Sequence, residues 1–255
     1  MDNYRQMLNK VPEVTIFFWI IKIMATTVGE TAADFLNFNL NWGLTNTTFL
    51  MSGLLLIALI FQFKSRKYLP GIYWLTVLLI SVVGTLVTDN LVDNYGVTLE
   101  TTTIIFTLAL LVTFAAWYSS EKTLSIHSIY KAKREVFYWL TILFTFALGT
   151  AAGDLIAEGL DLGYMISLFL FAAMIIVVTI AYYRFKLNAV LAFWIAYILT
   201  RPFGASLGDY LSQPSAEGGL GWGTVGTSVI FLVTILCLVI YLTKTRRDEI
   251  QLSSS

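Results

Sequence analysis

The 255-residue chain is too apolar to be an ordinary soluble domain. Hydrophobic residues occupy 57% of its positions and charged residues 13%, whereas globular chains have roughly 45–50% and about 25%. Apolar stretches of about 20 residues recur along the sequence, and each is long enough to cross a hydrocarbon core. The composition therefore predicts a membrane protein of several spans.

Four segments of the chain share one pattern, in which an aromatic residue and Trp are followed by nine residues, Gly, four residues and Asp. They run from Phe18 to Asp34, Tyr73 to Asp89, Tyr138 to Asp154 and Phe193 to Asp209. Their glycines stand at positions 29, 84, 149 and 204, so copies 1 and 3 are 120 residues apart, as are copies 2 and 4. This constant spacing indicates that a two-helix unit was duplicated and that the resulting pair was duplicated again.

Each copy continues with a short linker, a glycine and a second apolar run. These runs predict second helices at about 44–63, 98–117, 164–183 and 224–243, and no strand alternation competes with them. The sequence thus predicts an all-α membrane protein with eight transmembrane helices from four two-helix repeats. We divide it into membrane half 1 (1–122, repeats 1 and 2) and membrane half 2 (123–255, repeats 3 and 4).

The repeated segments resemble a bacterial integral-membrane family with a tandem, usually four-copy, repeat of unknown function and a Gly-Asp motif. The segment EVFYWLTILFTFALGTAAGDLIAEGLDLGY carries the resemblance most clearly. A literal Gly-Asp pair is present at Gly153–Asp154 and Gly208–Asp209, whereas Ala33 and Thr88 precede the Asp in the other two copies. The resemblance implies the fold and no particular activity.

The positive charges predict the orientation in the membrane. Of 16 Lys and Arg residues, 14 lie at one side of the predicted spans: Arg5, Lys10, Lys64, Arg66, Lys67, Lys122, Lys131, Lys133, Arg134, Arg184, Lys186, Lys244, Arg246 and Arg247. The positive-inside rule places this side, with both termini, in the cytoplasm of a bacterial inner membrane. Because every repeat has two spans, we expect parallel repeats related by a pseudo-twofold or pseudo-fourfold axis along the membrane normal.

Acidic residues have the opposite bias, since ten of 16 lie in or near the outer half. An acidic surface over a low-dielectric protein concentrates cations. The motif aspartates Asp34, Asp89, Asp154 and Asp209 end the four first helices. Residues four positions apart share a helix face, which places Glu30, Thr85 and Thr150 one turn deeper than three of these aspartates.

Two basic residues, Lys22 and Arg201, lie on the same helix faces within predicted spans. A charge at such a position costs at least about 2.5 kcal/mol, so it usually faces a cavity or a partner. We therefore expect each of the two to compensate at least one of the neighbouring acids by a salt bridge or through a single water.

Carboxylate and hydroxyl oxygens suit hard cations such as Mg²⁺, Ca²⁺ and Mn²⁺, or Na⁺ and H⁺. We name five residues as predicted metal ligands, namely Asp34, Asp89, Asp154, Asp209 and Glu30. The single His and single Cys exclude a Cys/His zinc or copper site. Each of these residue sets also has a simpler interpretation. The aspartates could be solvated residues at helix ends, and the motif glycines could be positions of close helix packing. The motif tryptophans could be anchors at the membrane interface.

These residues favour a transporter of a small cation, for which a divalent metal such as manganese is one candidate. We expect no enzymatic activity and no cofactor, a divalent cation being bound as substrate only. The expected partners are the lipid bilayer and the cation, with no nucleic acid; the chain could form a homo-oligomer. The alternative is a non-transporting membrane scaffold whose basic loops bind anionic lipid or a protein partner.

Overall fold

A computed structural model describes residues 9–39 and 42–249, which form eight long α-helices and no strand. The helices are α1 (Ile16–Asp34), α2 (Leu44–Lys64), α3 (Pro70–Asp89), α4 (Leu99–Glu121), α5 (Ala132–Asp154), α6 (Gly163–Phe185), α7 (Ala189–Ser212) and α8 (Gly223–Thr245). All eight are long and apolar enough to cross a membrane, which confirms the predicted architecture. The predicted boundary at residue 122 falls between α4 and α5, and Arg5 lies outside the described residues.

The first helices of the four repeats form a closed inner ring. α1 packs against α3, α3 against α5, α5 against α7, and α7 against α1. The second helices surround this ring, since only 11% to 22% of each second helix is buried, against 50% to 72% of each first helix. Each second helix packs against the first helix of the following repeat, and α8 completes the cycle by packing against α1. The contacts therefore have the fourfold pattern expected from the parallel repeats.

The motif glycines are the points where neighbouring inner helices cross. A Cβ on Gly29, Gly84, Gly149 or Gly204 would overlap Ser81, Phe146, Arg201 or Thr26 respectively, always three residues before the motif glycine of the next repeat. On Gly84, for instance, it would lie 2.8 Å from Phe146 Cβ. Small residues allow helix backbones to approach closely in membranes. The packing interpretation of these glycines is therefore the one that the structure supports.

One end of the bundle, here called the basic end, holds residues 9–15, 246–249 and the loops between repeats. The opposite end, here called the acidic end, holds the turns that follow the motif aspartates. In three repeats the helix continues past the aspartate as a π-helical turn: Phe35–Asn39, Asn90–Asn94 and Leu155–Gly159. In the fourth, α7 stays α-helical to Ser212. The aspartates thus lie before the end of each helical segment.

The half of the ring nearer the basic end is filled by aromatic side chains. Phe18, Tyr73 and Tyr138 are at most 1% exposed, and the hydroxyls of the two tyrosines are 2.5 Å apart. Three of the four motif tryptophans, Trp74, Trp139 and Trp194, are also buried, whereas Trp19 is half-buried. The interpretation of these residues as anchors at the membrane interface is therefore wrong for the three buried ones. Their helix positions turn them toward neighbouring helices of the bundle, so they pack inside the protein.

The glycine crossings can be tested by comparing Gly84→Ala with Gly53→Ala. The first change places a methyl against Phe146 and the backbone of Ala147, whereas the methyl of the second meets no atom within 4 Å. Overpacking of this kind costs about 1–3 kcal/mol. We expect thermal unfolding in detergent to show a lower Tm for Gly84→Ala and an unchanged Tm for the matched control. Equal Tm values would contradict the close crossing.

Candidate functional site

A cavity of about 560 Å³ opens at the acidic end of the inner ring. Eight acidic side chains line it: Glu30, Asp34, Asp89, Asp93, Asp154, Glu158, Asp209 and Glu217. Asp93, Glu158 and Glu217 are exposed and form its rim. The cavity therefore brings together all four motif aspartates, one from each inner helix, as their common register predicts.

Three of these carboxylates form a tighter group, here called the carboxylate trio. One oxygen each of Glu30, Asp154 and Asp209 lies within 4.8 Å of the others, and Glu30 and Asp209 are only 6% and 8% exposed. A cation bound at about 2.0–2.6 Å from each oxygen would bridge them. Of the five predicted metal ligands, Asp34 and Asp89 lie on the cavity wall outside the trio, and Asp34 accepts a hydrogen bond from Gln213 (3.5 Å).

The four inner helices also place their C-terminal ends around this cavity. A helix C-terminus carries a partial negative charge, equivalent to about half an elementary charge at the end of a regular α-helix. The backbone therefore adds to the negative potential of the carboxylates, and the arrangement is suited to holding a cation.

The side chain of Arg201 lies behind the cavity wall, where it forms an ion pair with Glu30. It is fully buried, and its Nη2 donates to Glu30 Oε2 (2.9 Å), to Thr150 Oγ1 (2.6 Å) and to Thr85 Oγ1. Ala205 stands at the repeat position that Glu30, Thr85 and Thr150 occupy on the other helices. Its small side chain leaves space, and the guanidinium reaches into it from one turn below.

Thr85 and Thr150 contact this guanidinium and are not among the residues that line the cavity. Thr85 Oγ1 also donates to Glu30 Oε2 at 3.3 Å. The expected pairing of Arg201 with an acid is therefore present, and the two threonines bind the same guanidinium nitrogen at the level of Glu30.

Lys22 has a different environment from the one expected. Its Nζ donates to the Tyr197 carbonyl (2.8 Å) and to Thr200 Oγ1 (2.5 Å), and it lies 4.4 Å from the centre of the Tyr197 ring. Within the described part of the chain it forms no salt bridge. Lys22 is eight residues before Glu30, about 12 Å along the helix, so the turn that carries Arg201 separates it from the acids.

A short segment before α1 packs into the basic end. Residues 9–11 are at most 8% exposed, and their backbone forms hydrogen bonds with Tyr68 and Ile129 of the loops between repeats. Lys10 Nζ lies 2.6 Å from Glu135 Oε2 and donates to the Phe63 carbonyl at 3.0 Å. Glu135 is fully buried and also accepts from Gln62 (3.4 Å). This buried ion pair lies at the end of the bundle opposite the cavity.

A second contact ties the two terminal segments together beside this pair. Tyr68 Oη donates to Asp248 Oδ2 at 2.6 Å, and the backbone N–H of Glu13 donates to the Asp248 carbonyl at 2.9 Å. Burial raises the pKa of Asp248 above its usual value, and the hydrogen bond from Tyr68 opposes that rise. Burial likewise raises the pKa of Tyr68.

The sequence contains a signal for some of the cavity residues that were not predicted. Asp93, Glu158 and Gln213 each stand four residues after a motif aspartate, so the polar face extends one turn further toward the acidic end. All three line the cavity. The contact of Lys10 with Glu135 has no comparable signal, because its partners are 125 residues apart.

Comparison with protein families matches this chain four times to the Repeat of Unknown Function (DUF347), at residues 17–68, 72–123, 137–188 and 192–248. The chain belongs to this family. Each DUF347 repeat starts in an inner helix, at or next to the aromatic–Trp pair, and extends through the outer helix that follows. Comparisons with curated proteins and with solved structures find no match.

The closure of the basic end can be tested with Lys10→Met. This change leaves the buried carboxylate of Glu135 without its cation, and loss of one partner of a buried pair costs about 3–5 kcal/mol. The matched control is Lys133→Met, whose side chain is 65% exposed and 4.0 Å from Glu121, so its loss costs at most about 1 kcal/mol. We expect Lys10→Met alone to lower the Tm in detergent strongly; equal effects would contradict a buried pair.

Proposed function

We propose that this DUF347 protein is a membrane transporter for a small cation, which binds in the cavity at the acidic end. The observation that carries the proposal is the meeting of four motif carboxylates, one from each repeat, on the wall of one cavity. Three acids of that wall approach closely enough for a single cation to bind all of them. Close carboxylates repel one another in a low-dielectric environment, and a bound cation removes that repulsion.

The chemistry of the cavity favours a hard cation. Its wall offers carboxylate, amide and hydroxyl oxygens, including those of Asn37, Gln213 and Thr224, and no imidazole or thiol among the lining residues. Oxygen ligands of this kind suit Mg²⁺, Ca²⁺ and Mn²⁺. We therefore propose a divalent metal, with manganese as one candidate, as the cargo; we assign no catalytic step to the chain.

A transporter that is open to one side of the membrane must be closed to the other side, and the two ends of the ring differ in this way. The cavity is open at the acidic end, while Arg201, the aromatic layer and the pair of Lys10 with Glu135 close the remainder. By the positive-inside rule the basic end, with both termini, faces the cytoplasm of a bacterial inner membrane. The proposed transporter thus has its site open to the outside, and transport requires this closed half to open.

The same closed half favours the alternative function, a membrane scaffold that transports nothing. A scaffold needs no path through the ring, and its basic loops would bind anionic lipid or a partner. Flux measurements in vesicles separate the two functions, because a scaffold moves no cation.

Asp154→Asn tests the site within the proposed transporter. The change removes one carboxylate of the trio, so we expect cation flux in reconstituted vesicles to fall by about tenfold or more. Asp161→Asn is the matched control, since Asp161 is exposed in the same repeat and does not line the cavity. Wild-type protein that moves no mono- or divalent cation would favour the scaffold, as would an Asp154→Asn protein as active as wild type.

The pH of the outer solution should change the apparent affinity of the transporter. Protons compete with the cation for the carboxylates, so acidification should raise the KM for the cation. The maximal rate should recover at saturating cation, because cation and proton exclude each other from the same oxygens. Initial rates over a range of outer pH and cation concentration measure this, and a KM that does not depend on pH would contradict binding by the acids.

A further inference from the structure

One carboxylate of the acidic cavity, that of Glu30, is already paired with a cation, the buried guanidinium of Arg201. We infer that Arg201 is a tethered cation that competes with the transported cation for Glu30 and closes the floor of the cavity when the site is empty. This inference rests on the proposed function and adds the residue that couples occupancy of the site to its closure. It is carried by the shared ligand, since Glu30 belongs both to the carboxylate trio and to the ion pair with Arg201.

The two uses of Glu30 oppose each other. Its Oε2 accepts from Arg201 at 2.9 Å and from Thr85 at 3.3 Å. A metal bound to the trio would withdraw electron density from the same carboxylate. It would also stand within a few ångströms of the guanidinium, where like charges repel strongly because water is scarce. Binding of the cation therefore weakens the hold of Glu30 on Arg201.

The hydrogen bonds of Arg201 are unevenly distributed. Nη2 has two hydrogens and three acceptors, whereas Nε and Nη1 are buried and have no partner among the described residues. Buried polar groups are nearly always satisfied, so this arrangement leaves the side chain only partly stabilised in its present position. A displaced guanidinium would lose the three contacts of Nη2, while Nε and Nη1, which now have no hydrogen-bond partner in the described part of the chain, would gain access to new acceptors.

The helix that carries Arg201 allows such a displacement. Pro202, directly after Arg201, has no N–H to bond the carbonyl of Ile198, and a proline within a helix weakens it at that point. On the other inner helices the position equivalent to Arg201 holds Thr26, Ser81 or Phe146. Only the fourth repeat therefore places a charged side chain there. Lys22, the other basic residue in the four repeated segments, forms no ion pair with Glu30 among the described residues and has a carbonyl and a hydroxyl as hydrogen-bond partners.

Binding of Mn²⁺ to the purified full chain tests the competition. Titration calorimetry and the electron paramagnetic resonance signal of free Mn²⁺ give the affinity of wild type, Arg201→Gln and Lys22→Gln. Removing the competing charge should make Arg201→Gln bind Mn²⁺ about tenfold more tightly or better, whereas Lys22→Gln should stay within about threefold of wild type because its charge is further from the trio.

Thr150→Val provides a second test that keeps every charge and nearly the same volume. It removes one acceptor from Arg201, so the guanidinium is held less firmly and Mn²⁺ should bind more tightly than to wild type. Weaker binding by Thr150→Val would mean that Thr150 is a ligand of the metal, and it would overturn the inference even if Arg201→Gln failed to fold.

The outcomes separate this inference from the proposed function. Equal Mn²⁺ affinities of wild type and Arg201→Gln overturn the competition and leave the cation site standing. Binding that appears only after Arg201→Gln supports the competition. No binding of Mn²⁺, Ca²⁺ or Mg²⁺ by wild type or any variant overturns the cation site itself, and the competition with it.

Discussion

The close crossing of the inner helices at the motif glycines is the constraint on which the remaining structure depends. Each glycine lets the next helix approach until its side chain occupies the place of the missing Cβ. The same crossing is made four times, and the fourth returns to α1, so the four inner helices share one register. Because the motif aspartate follows five residues after each glycine, the four carboxylates lie at one height around one axis. The cavity is thus a consequence of the packing.

The ring departs from fourfold symmetry in the layers just below the aspartates. At one level the residues are Glu30, Thr85, Thr150 and Ala205, and at the next Thr26, Ser81, Phe146 and Arg201. A buried charge in the membrane is expensive, and these two layers hold a buried ion pair, Glu30 with Arg201. The ring of aspartates concentrates cations whatever their identity, whereas the asymmetric layers determine how one cation is held and what closes beneath it.

Features that depend on a repeated spacing could be predicted from the sequence. The eight helices, the equivalence of the four copies and the convergence of Asp34, Asp89, Asp154 and Asp209 all follow from one register. The partner of Lys22 and the contacts of Thr85 and Thr150 with Arg201 do not. They depend on the order of helices around the ring and on long side chains that reach to a different turn. The closure of the basic end by Lys10 and Glu135 joins segments that no local pattern relates, so it becomes visible only in the folded chain.

The arrangement of the outer helices also bears on how such a ring can be assembled. Since each outer helix covers the inner helix of the next repeat, α1 is covered by α8, the last of the eight to leave the ribosome. The inner ring therefore stays incompletely shielded from lipid until translation of the final span. In a chain of only two repeats, the first inner helix would have no outer helix to cover it, and the last outer helix would have no inner helix to cover. Two such chains could form the same ring, because the last outer helix of each would cover the first inner helix of the other. Joining two such half-length chains into one polypeptide would therefore require no new interface.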